Sequence, residues 1–401
     1  MDLNSGYPFW LIKDGLLYDY PTLEKDMTTA IVIMGAGISG ALTAYHLMDA
    51  GIDCMVIDGR TIGLGSTCAS TSLLQYEIDV PLCELQKKTG LKKAVAAYKL
   101  CEQSIDSLQQ IAVKIGFKDF QQKKSLYYAA KKSDNAFLKK EYTIRKENGF
   151  DVSLLDEAAI KTAFNIKASS AILSATAAQT NAYSFTHALH QYNIKRGLQV
   201  FDRTEAVQIK HSAAGVVLKT NKGFVINARK LIYATGYEAI NYVDKKIVQL
   251  KSTYAICSEQ MHKDEMGMNP DVLMWSTADP YLYLRTTIDN RMIIGGRDEK
   301  FYDPQRRDKL LNKKAKQLEA DLFKLFPASA FKTEFTWTGT FGSTKDGLPF
   351  IGEYKKLPNG LFALGFGGNG ITFSLIAAAF LTGMIRGIKN DAVDIFSFER
   401  I

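Results

Sequence analysis

The sequence has few residues of the kinds that hold metals or form disulfides. Its 401 residues include five cysteines, no two of them spaced as C-x-x-C, and five histidines without ligand spacing to those cysteines. A small, odd cysteine count in a chain of this length favours a reducing, cytoplasmic compartment. We therefore expect no metal site.

Strong charge and long apolar runs are also missing. Lys and Arg number 50 and Asp and Glu number 42, which gives a formal charge of +8 carried largely by scattered lysine pairs. A nucleic-acid surface needs clustered basic residues, so none is expected. The longest apolar stretch, 371–384, is too short to span a membrane and predicts a buried helix. The acidic first 26 residues do not resemble a signal peptide, and we expect none.

What the chain does have is the length and apolar content for two compact units. Hydrophobic residues make up 46% of the sequence, so a large interior is available and global disorder is excluded. A chain of 401 residues exceeds one ordinary core. No segment rich in proline, glycine and serine divides the chain, so we predict two units that are interleaved in sequence.

Hydrophobic periodicity predicts mixed helices and strands. The chain opens with an aromatic arm over 1–26, which we expect to pack on the body, and then a β-α-β unit. The predicted strands are 30–34, 54–58, a segment near 125–130, four short strands within 200–235, and a β-rich region over 247–297; the predicted helices are 39–50, a single long helix over 84–116, 133–148 and 305–326.

A glycine motif joins the first predicted strand to the first predicted helix. Gly35, Gly37 and Gly40 form G-x-G-x-x-G, and Asp58 closes the next strand 23 residues after Gly35. The three glycines permit a tight turn, close approach of a diphosphate, and close packing of helix on strand. The helix N-terminus then offers N–H groups to phosphate, and the carboxylate can accept hydrogen bonds from ribose hydroxyls. This context predicts a dinucleotide site.

A second glycine turn helps to choose the dinucleotide. Arg60 and then Gly63-Leu64-Gly65-Ser66-Thr67 follow the acid at once. Hydroxyls on a second turn suit a cofactor whose diphosphate and ribityl chain continue past the first turn. A nicotinamide cofactor would not need that second turn.

Four blocks of sequence resemble the D-amino-acid-oxidase-like family of FAD-dependent oxidoreductases, in its glycine and sarcosine oxidase branch. They are VIMGAGISGALTAYHLMDAGIDCMVID at 32–58, GLGSTCASTSLLQ at 63–75, RKLIYATGYEA at 229–239, and DGLPFIGE with GLFALGFGGNGITFS within 346–374. The blocks occur in family order and spread over most of the chain. This is far more specific than one glycine turn.

The resemblance implies an α/β fold. It has a Rossmann-like FAD-binding domain formed by 1–80, 165–240 and 337–401, and a substrate domain formed by 81–164 and 241–336 on a mixed or antiparallel sheet. FAD is expected to be non-covalent, because Ala69 stands where some relatives carry a linking histidine. The implied FAD contacts are Gly35, Ala36, Gly37, Ile38, Ser39, Gly40, Asp58, Gly59, Arg60, Gly65, Ser66, Thr67, Glu205, Ala206, Ala234, Thr235, Gly236, Tyr237, Gly367, Gly368, Asn369, Gly370, Ile371 and Thr372.

The late glycine block is expected to close the FAD site. In the family its glycines let backbone pass close to the flat flavin ring. The following helix N-terminus then faces the pyrimidine edge of the flavin, where negative charge develops on reduction.

The resemblance also implies a reaction: an amino acid or secondary amine loses a hydride to flavin N5, and O2 or another acceptor reoxidises the flavin. The family's substrate cations are absent here. Phe341, Gln75 and Thr372 stand at the positions of the carboxylate-binding Arg and Lys, and Ile294 stands near the oxygen-activating Lys. Oxidase and dehydrogenase activity both remain open.

A substitute anchor is predicted on the segment 281–285. Strand alternation puts Tyr281, Tyr283 and Arg285 on one face, where Arg285 could pair with a carboxylate and Tyr283 could hydrogen-bond it. A structural Arg at a sheet end is the equal alternative. Tyr254 is a further candidate.

Two other functions stay open at this point. One is an FAD-dependent dehydrogenase of a 2-hydroxy acid or polyol phosphate. The other is a flavin-binding partner protein in RNA modification, which the charge of +8 permits but does not require.

Overall fold

The computed structural model describes residues 1–400 and arranges their strands in two sheets. The strands are β1 Asn4–Gly6, β2 Met27–Met34, β3 Cys54–Ile57, β4 Leu73–Gln75, β5 Phe120–Tyr128, β6 Val152–Asp156, β7 Ser170–Thr180, β8 Gln199–Phe201, β9 Ala206–Ser212, β10 Gly215–Thr220, β11 Val225–Tyr233, β12 Gln249–Ser258, β13 Val272–Ser276, β14 Tyr283–Thr286, β15 Met292–Glu299, β16 Thr333–Ser343, β17 Phe350–Glu353 and β18 Gly360–Leu364. The helices are α1 Phe9–Asp14, α2 Ile38–Asp49, α3 Leu82–Thr89, α4 Leu91–Lys114, α5 Asn135–Glu147, α6 Glu157–Phe164, α7 Ala182–Ile194, α8 Pro304–Leu325 and α9 Gly370–Ile385, with short 3₁₀ turns at Lys132–Asp134, Gly236–Tyr242, Lys263–Glu265, Asp391–Ile395 and Phe398–Arg400.

The first sheet has eight strands and a parallel centre. Its main order is β17-β18-β11-β2-β3-β8, with parallel pairing from β18 to β8, an antiparallel edge strand β17, and β10 and β9 attached beside β11. Ile31 and Ile33 of β2 pack on one face, and Val32 and Met34 pack on the other. Burial on both faces explains the continuous apolar run of this strand. The predicted α/β class and Rossmann-like opening are confirmed.

The second sheet has ten strands and is mostly antiparallel. Its order is β1-β16-β12-β15-β14-β13-β5-β7-β4, with β6 beside β7. Within the described part of this sheet, β13 and β5 form the only parallel pair. Leu318 and Leu322 of α8 pack with Ile256 and Ile294 in one apolar cluster. Thr253 and Tyr283 line a cavity between this sheet and the strand ends of the first. This sheet therefore supplies one wall of the site.

The N-terminal arm packs on the body, as predicted. β1 pairs with β16 at the edge of the second sheet. Phe9, Trp10 and Tyr20 are buried, and the Trp10 indole donates to the Ser70 carbonyl at 2.7 Å. The arm thereby holds the loop that follows the second glycine turn.

Two predicted elements differ from the structure. The single helix over 84–116 is two helices, because Gly90 takes φ +83° between α3 and α4. Only glycine adopts such a backbone at low cost, so the chain turns there while the apolar stripe continues. The strands predicted for GFVINA and KLIYAT form one strand, β11.

The predicted domain boundaries do not all coincide with the sheets. β1, β4, β7 and the second part of β16 lie in the second sheet, although residues 4–6, 73–75, 170–180 and 337–343 fall in the stretches assigned to the FAD-binding unit. β7 belongs to the second sheet because it pairs with β5 over most of its length. Ile401, the last residue of the third stretch, lies outside the described residues. Within residues 1–400, no helix has the length and hydropathy needed to cross a membrane.

Candidate active site

A cavity with a volume of about 560 Å³ lies between the two sheets. Two helices begin at its wall: α2 through Ile38 and α9 through Gly370. Neither has a side-chain hydrogen bond from its N-cap residue, Gly37 or Asn369. Helix N-termini without an N-cap side chain leave N–H groups and positive dipole ends for an anionic ligand, although the first N–H of α2, that of Ile38, already bonds Thr67 Oγ1. One cavity therefore has two such positions.

The first glycine turn is shaped by backbone contacts. Gly35 has φ +106°, and a Cβ there would lie 2.4 Å from the Ala234 carbonyl oxygen. A Cβ at Gly40 would lie 1.8 Å from the Gly35 carbonyl oxygen. Side chains cannot fit at either position, so β2, the turn and α2 pack with backbone in contact. Thr67 accepts the Ile38 N–H at 3.1 Å and ties the second glycine turn to the first.

Asp58 connects the two turns. Its carboxylate accepts the Ala36 N–H at 2.7 Å and the Arg60 N–H at 2.8 Å. Burial raises the pKa of Asp58, and the two N–H donors act in the opposite direction. Arg60 in turn forms a two-pronged pair with Glu238 at 2.7 Å. Sequence analysis missed Glu238, although it directly follows the Ala-Thr-Gly-Tyr block.

Two buried hydroxyls on this wall have no hydrogen-bond partner. They are Ser66 Oγ and Thr235 Oγ1. A buried hydroxyl without a partner is costly, so the pair indicates a polar ligand in the cavity. Together with the uncapped start of α2, these donors fit the diphosphate and ribityl oxygens of FAD.

The late glycine block, Gly367–Gly370, forms the end of the cavity opposite the first glycine turn. The Asn369 Nδ2 group donates to the Gln75 and Glu77 carbonyls at 3.1 and 2.8 Å, and its Oδ1 accepts no N–H of α9. The Gly368 N–H donates to Asp79 at 2.8 Å. A Cβ at Gly370 would meet no atom within 4 Å. The start of α9 is thus open to the cavity.

Three tyrosines from two segments enclose this end. Tyr281 donates to Asp79 at 3.0 Å, and Tyr237 donates to the Gly367 carbonyl at 3.2 Å. The Tyr283 hydroxyl lies 3.5 Å from Thr253 Oγ1. Burial raises the pKa of all three phenols, so their hydroxyls stay protonated at neutral pH and serve as hydrogen-bonding groups.

Arg285 does not line the cavity, contrary to its prediction as a substrate anchor beside Tyr283. Its guanidinium is fully buried and donates to the carbonyls of Thr71, Ser72 and Thr180 at 2.7–3.1 Å. A cation that satisfies three carbonyls is a structural cross-link, which was the alternative interpretation. Tyr254 lines the cavity, but its hydroxyl donates to the Arg307 carbonyl at 3.3 Å.

Most of the other predicted contacts meet on this one cavity. Ala36, Gly40 and Thr372 do not line it. The predicted residues that do are Gly35, Gly37, Ile38, Ser39, Asp58, Gly59, Arg60, Gly65, Ser66, Thr67, Glu205, Ala206, Ala234, Thr235, Gly236, Tyr237, Tyr254, Tyr283, Gly367, Gly368, Asn369, Gly370 and Ile371.

Acids at the tyrosine end were missed by sequence analysis. Glu77, Asp79 and Asp298 all line the cavity. The alternation Tyr76-Glu77-Ile78-Asp79, with Tyr76 and Ile78 in the core, was a usable signal for two of them. The described residues contain no group of three His, Cys, Asp or Glu side chains placed to hold a metal.

A parallel sheet with uncapped helix starts, closed by a second sheet, defines a dinucleotide-binding enzyme. The chain belongs to the DAO family of FAD-dependent oxidoreductases, whose model matches residues 30–384. It is therefore an enzyme that uses FAD, and the predicted resemblance is confirmed.

Relatives agree with this assignment. The chain is 23% identical to gamma-glutamylputrescine oxidoreductase of Escherichia coli over 92% of its length and 86% of the relative's. The fold resembles L-proline dehydrogenase from P. horikoshii with a TM-score of 0.78, 20% identity, and coverage of 93% and 97% of the two chains. It equally resembles glycine oxidase from Geobacillus kaustophilus with a TM-score of 0.78, 18% identity, and coverage of 94% and 99%.

A pH prediction arises from His190, which lies beneath the first glycine turn. Its Nε2 is 3.0 Å from the Ala36 carbonyl oxygen, and burial lowers its pKa to about 4. Between this value and about 6.5 the unfolded chain binds a proton that the folded chain does not, so stability falls as pH falls through that window. We expect His190→Gln to remove up to about 3 kcal/mol of this dependence.

The measurement is the unfolding temperature of wild type and variant as a function of pH. His262→Gln is the matched control, because His262 is exposed. Parallel profiles for wild type and His190→Gln would contradict the prediction.

Proposed function

We propose that this enzyme oxidises a carbon–nitrogen bond of a small amine or amino acid. The observation that carries the proposal is the pair of uncapped helix starts on one cavity, with a tyrosine-lined space at the second of them. The names of the relatives above point the same way, since they refer to an amine, an imino acid and an amino acid.

The proposed cofactor contacts follow from the open donors. The start of α2, with Ser66 and Thr67, would hold the diphosphate and ribityl chain, and the start of α9 would face the flavin ring. Asp58 would orient both turns rather than act alone as a ribose ligand, because both of its oxygens already accept backbone N–H groups. Ala69 lines the cavity and offers no linking atom, which supports non-covalent FAD. When bound, FAD supplies the hydride acceptor.

The chain's own residues would orient the substrate and exclude water. Tyr281, Tyr283 and Trp275 form a wall of aromatic rings facing the late glycine block. Asp79 accepts both the Tyr281 hydroxyl and the Gly368 N–H, and it therefore links the aromatic wall to the late glycine block. Such preorganisation is the protein's part in cofactor chemistry. We also propose that the two interleaved units act as cofactor and substrate domains.

The test is anaerobic absorbance of the purified holoenzyme against amines, amino acids, 2-hydroxy acids and polyol phosphates. We expect an amine or amino acid to bleach the flavin. Readmission of air then separates an oxidase, which recolours at once, from a dehydrogenase, which needs another acceptor. Bleaching only by a hydroxy acid or a phosphate ester would overturn the proposal. So would a holoenzyme inert to all of them that retains RNA in a salt-sensitive manner.

A further inference from the structure

The tyrosine end of the cavity carries acids without matching cations. Glu77, Asp79 and Asp298 line it. Among the described residues that line the cavity, the cationic groups are the Arg60 side chain and the Met1 amino group, and both pair with Glu238 on the far side of the first glycine turn. A substrate carboxylate would thus meet negative charge and no free cation among the residues that line this end of the cavity.

Asp298 combines a free acceptor with the lack of an ion pair among the described residues. It lies on β15, and its Oδ1 is buried without a hydrogen-bond partner, as is Oε2 of Glu77, which however pairs with Arg145. Two neighbouring cations are paired with other acids. Arg297 forms a two-pronged pair with Asp321 at 2.6 Å, and Lys314 bonds Glu299 at 2.6 Å. Lys251 lies over the Phe341 ring and makes no ion pair with Asp298.

The other two acids are partly or fully satisfied by the protein. Asp79 accepts the Gly368 N–H and the Tyr281 hydroxyl. Glu77 accepts the Ser174 hydroxyl at 2.7 Å and pairs with Arg145 at 3.3 Å. An unpaired buried carboxylate is costly unless a ligand cation completes it. Asp298 is therefore the acid best suited to receive a ligand cation.

We propose that the substrate is a diamine-like compound, in which Asp298 binds an ammonium group other than the reacting nitrogen. This inference rests on the proposed function. The reacting nitrogen must be neutral to release a hydride from its neighbouring carbon, and a carboxylate beside it would favour its charged form. A second nitrogen, which stays protonated at neutral pH, suits Asp298 better. The faces of Tyr281, Tyr283 and Trp275 add attraction for a cation.

The experiment uses holoenzyme and three matched compounds: butylamine, 1,4-diaminobutane and 4-aminobutanoate. They share the reacting end and carry a methyl, an ammonium or a carboxylate at the other. Homologues one carbon shorter and longer cover the distance to Asp298. Binding is read from perturbation of the flavin absorbance, independently of turnover. We expect the best diamine to bind at least about 10-fold more tightly than its monoamine, the value of one charged hydrogen bond, and the amino acid to bind least.

Asp298→Asn should bring the ratio of diamine to monoamine affinity close to one. Asp264→Asn removes the same charge from an exposed position outside the cavity and should keep the ratio. Tighter binding of the carboxylate compound by wild type overturns the inference, even if the Asn variant does not fold. A ratio that persists in folded Asp298→Asn overturns it as well. Failure of every amine and amino acid to reduce the flavin instead counts against the proposed function, and the binding ratio still decides the role of Asp298.

Discussion

Gly370→Val is expected to give a folded protein that purifies without FAD. A Cβ at this position would meet no protein atom within 4 Å, so the apoprotein can accommodate the branched side chain. Gly370 lines the cavity at the start of α9, where we place the flavin ring. The added methyl groups would occupy that space. A steric conflict of about 3 kcal/mol corresponds to a loss of roughly 100-fold in FAD affinity.

The control lies in the same helix. A Cβ at Gly383 of α9 would also meet no atom within 4 Å, and Gly383 does not line the cavity between the sheets. Gly383→Val therefore introduces the same side chain into α9 without entering the proposed flavin space. FAD content from visible absorbance and FAD titration of the apoprotein give the comparison, with circular dichroism to verify folding. Full FAD occupancy in Gly370→Val, or equal loss in both variants, would refute the proposed position of the ring.

Local sequence was sufficient to predict the β-α-β unit and glycine turn that form one end of the cavity. The β-α-β opening depends on contacts between residues a few positions apart, such as the approach of Gly40 to Gly35. The period of apolar residues in strands and helices and the spacing of the glycines depend on such local contacts, so they predict this unit directly. The boundaries observed for β2, α2 and β3 accordingly lie within three residues of those predicted.

Arg285 shows why the tyrosine-lined end of the cavity was harder to predict from the sequence. Alternation along a strand assigns a face to a residue, but it does not tell which atoms that face meets. The carbonyls that Arg285 satisfies belong to residues 105 to 214 positions away in the sequence. Their need for donors arises only when the segment at 71–72 and the end of β7 come together. No pattern within the segment 281–285 contains that information.

The resemblance identified which cations the site lacks, and the structure gives the residues that line the same space. Phe341 and Gln75, at two positions of missing family cations, both lie on the cavity wall, whereas Ile294 is buried in the core behind the second sheet. The acids that face this space are single residues in otherwise ordinary strands and loops. An isolated Asp or Glu is most often a solvated surface group, so only their convergence in three dimensions distinguishes them.

Arg145→Met is expected to lower the free energy of unfolding by about 3–5 kcal/mol. Arg145 is fully buried, and it bonds Glu141 at 2.7 Å and pairs with Glu77 at 3.3 Å. Glu141 also accepts the N–H groups of Leu82 and Cys83 at the start of α3. Methionine fills similar volume but leaves two buried carboxylates without a cation. The substitution would therefore weaken both the packing of α3 on α5 and the support of Glu77, which lines the cavity.

Urea unfolding of the holoenzyme measures this effect against two comparisons. Arg196→Met removes a half-exposed arginine that lies 3.7 Å from Asp49, and such pairs contribute at most about 1 kcal/mol. Adding Glu141→Gln to Arg145→Met removes one of the unpaired charges and should recover part of the stability. The cost should also shrink on acidification, because burial raises the pKa of Glu77 and its protonation removes the second charge. If Arg145→Met lowers the free energy of unfolding no more than Arg196→Met does, the buried network of Arg145, Glu141 and Glu77 does not stabilise the fold as predicted.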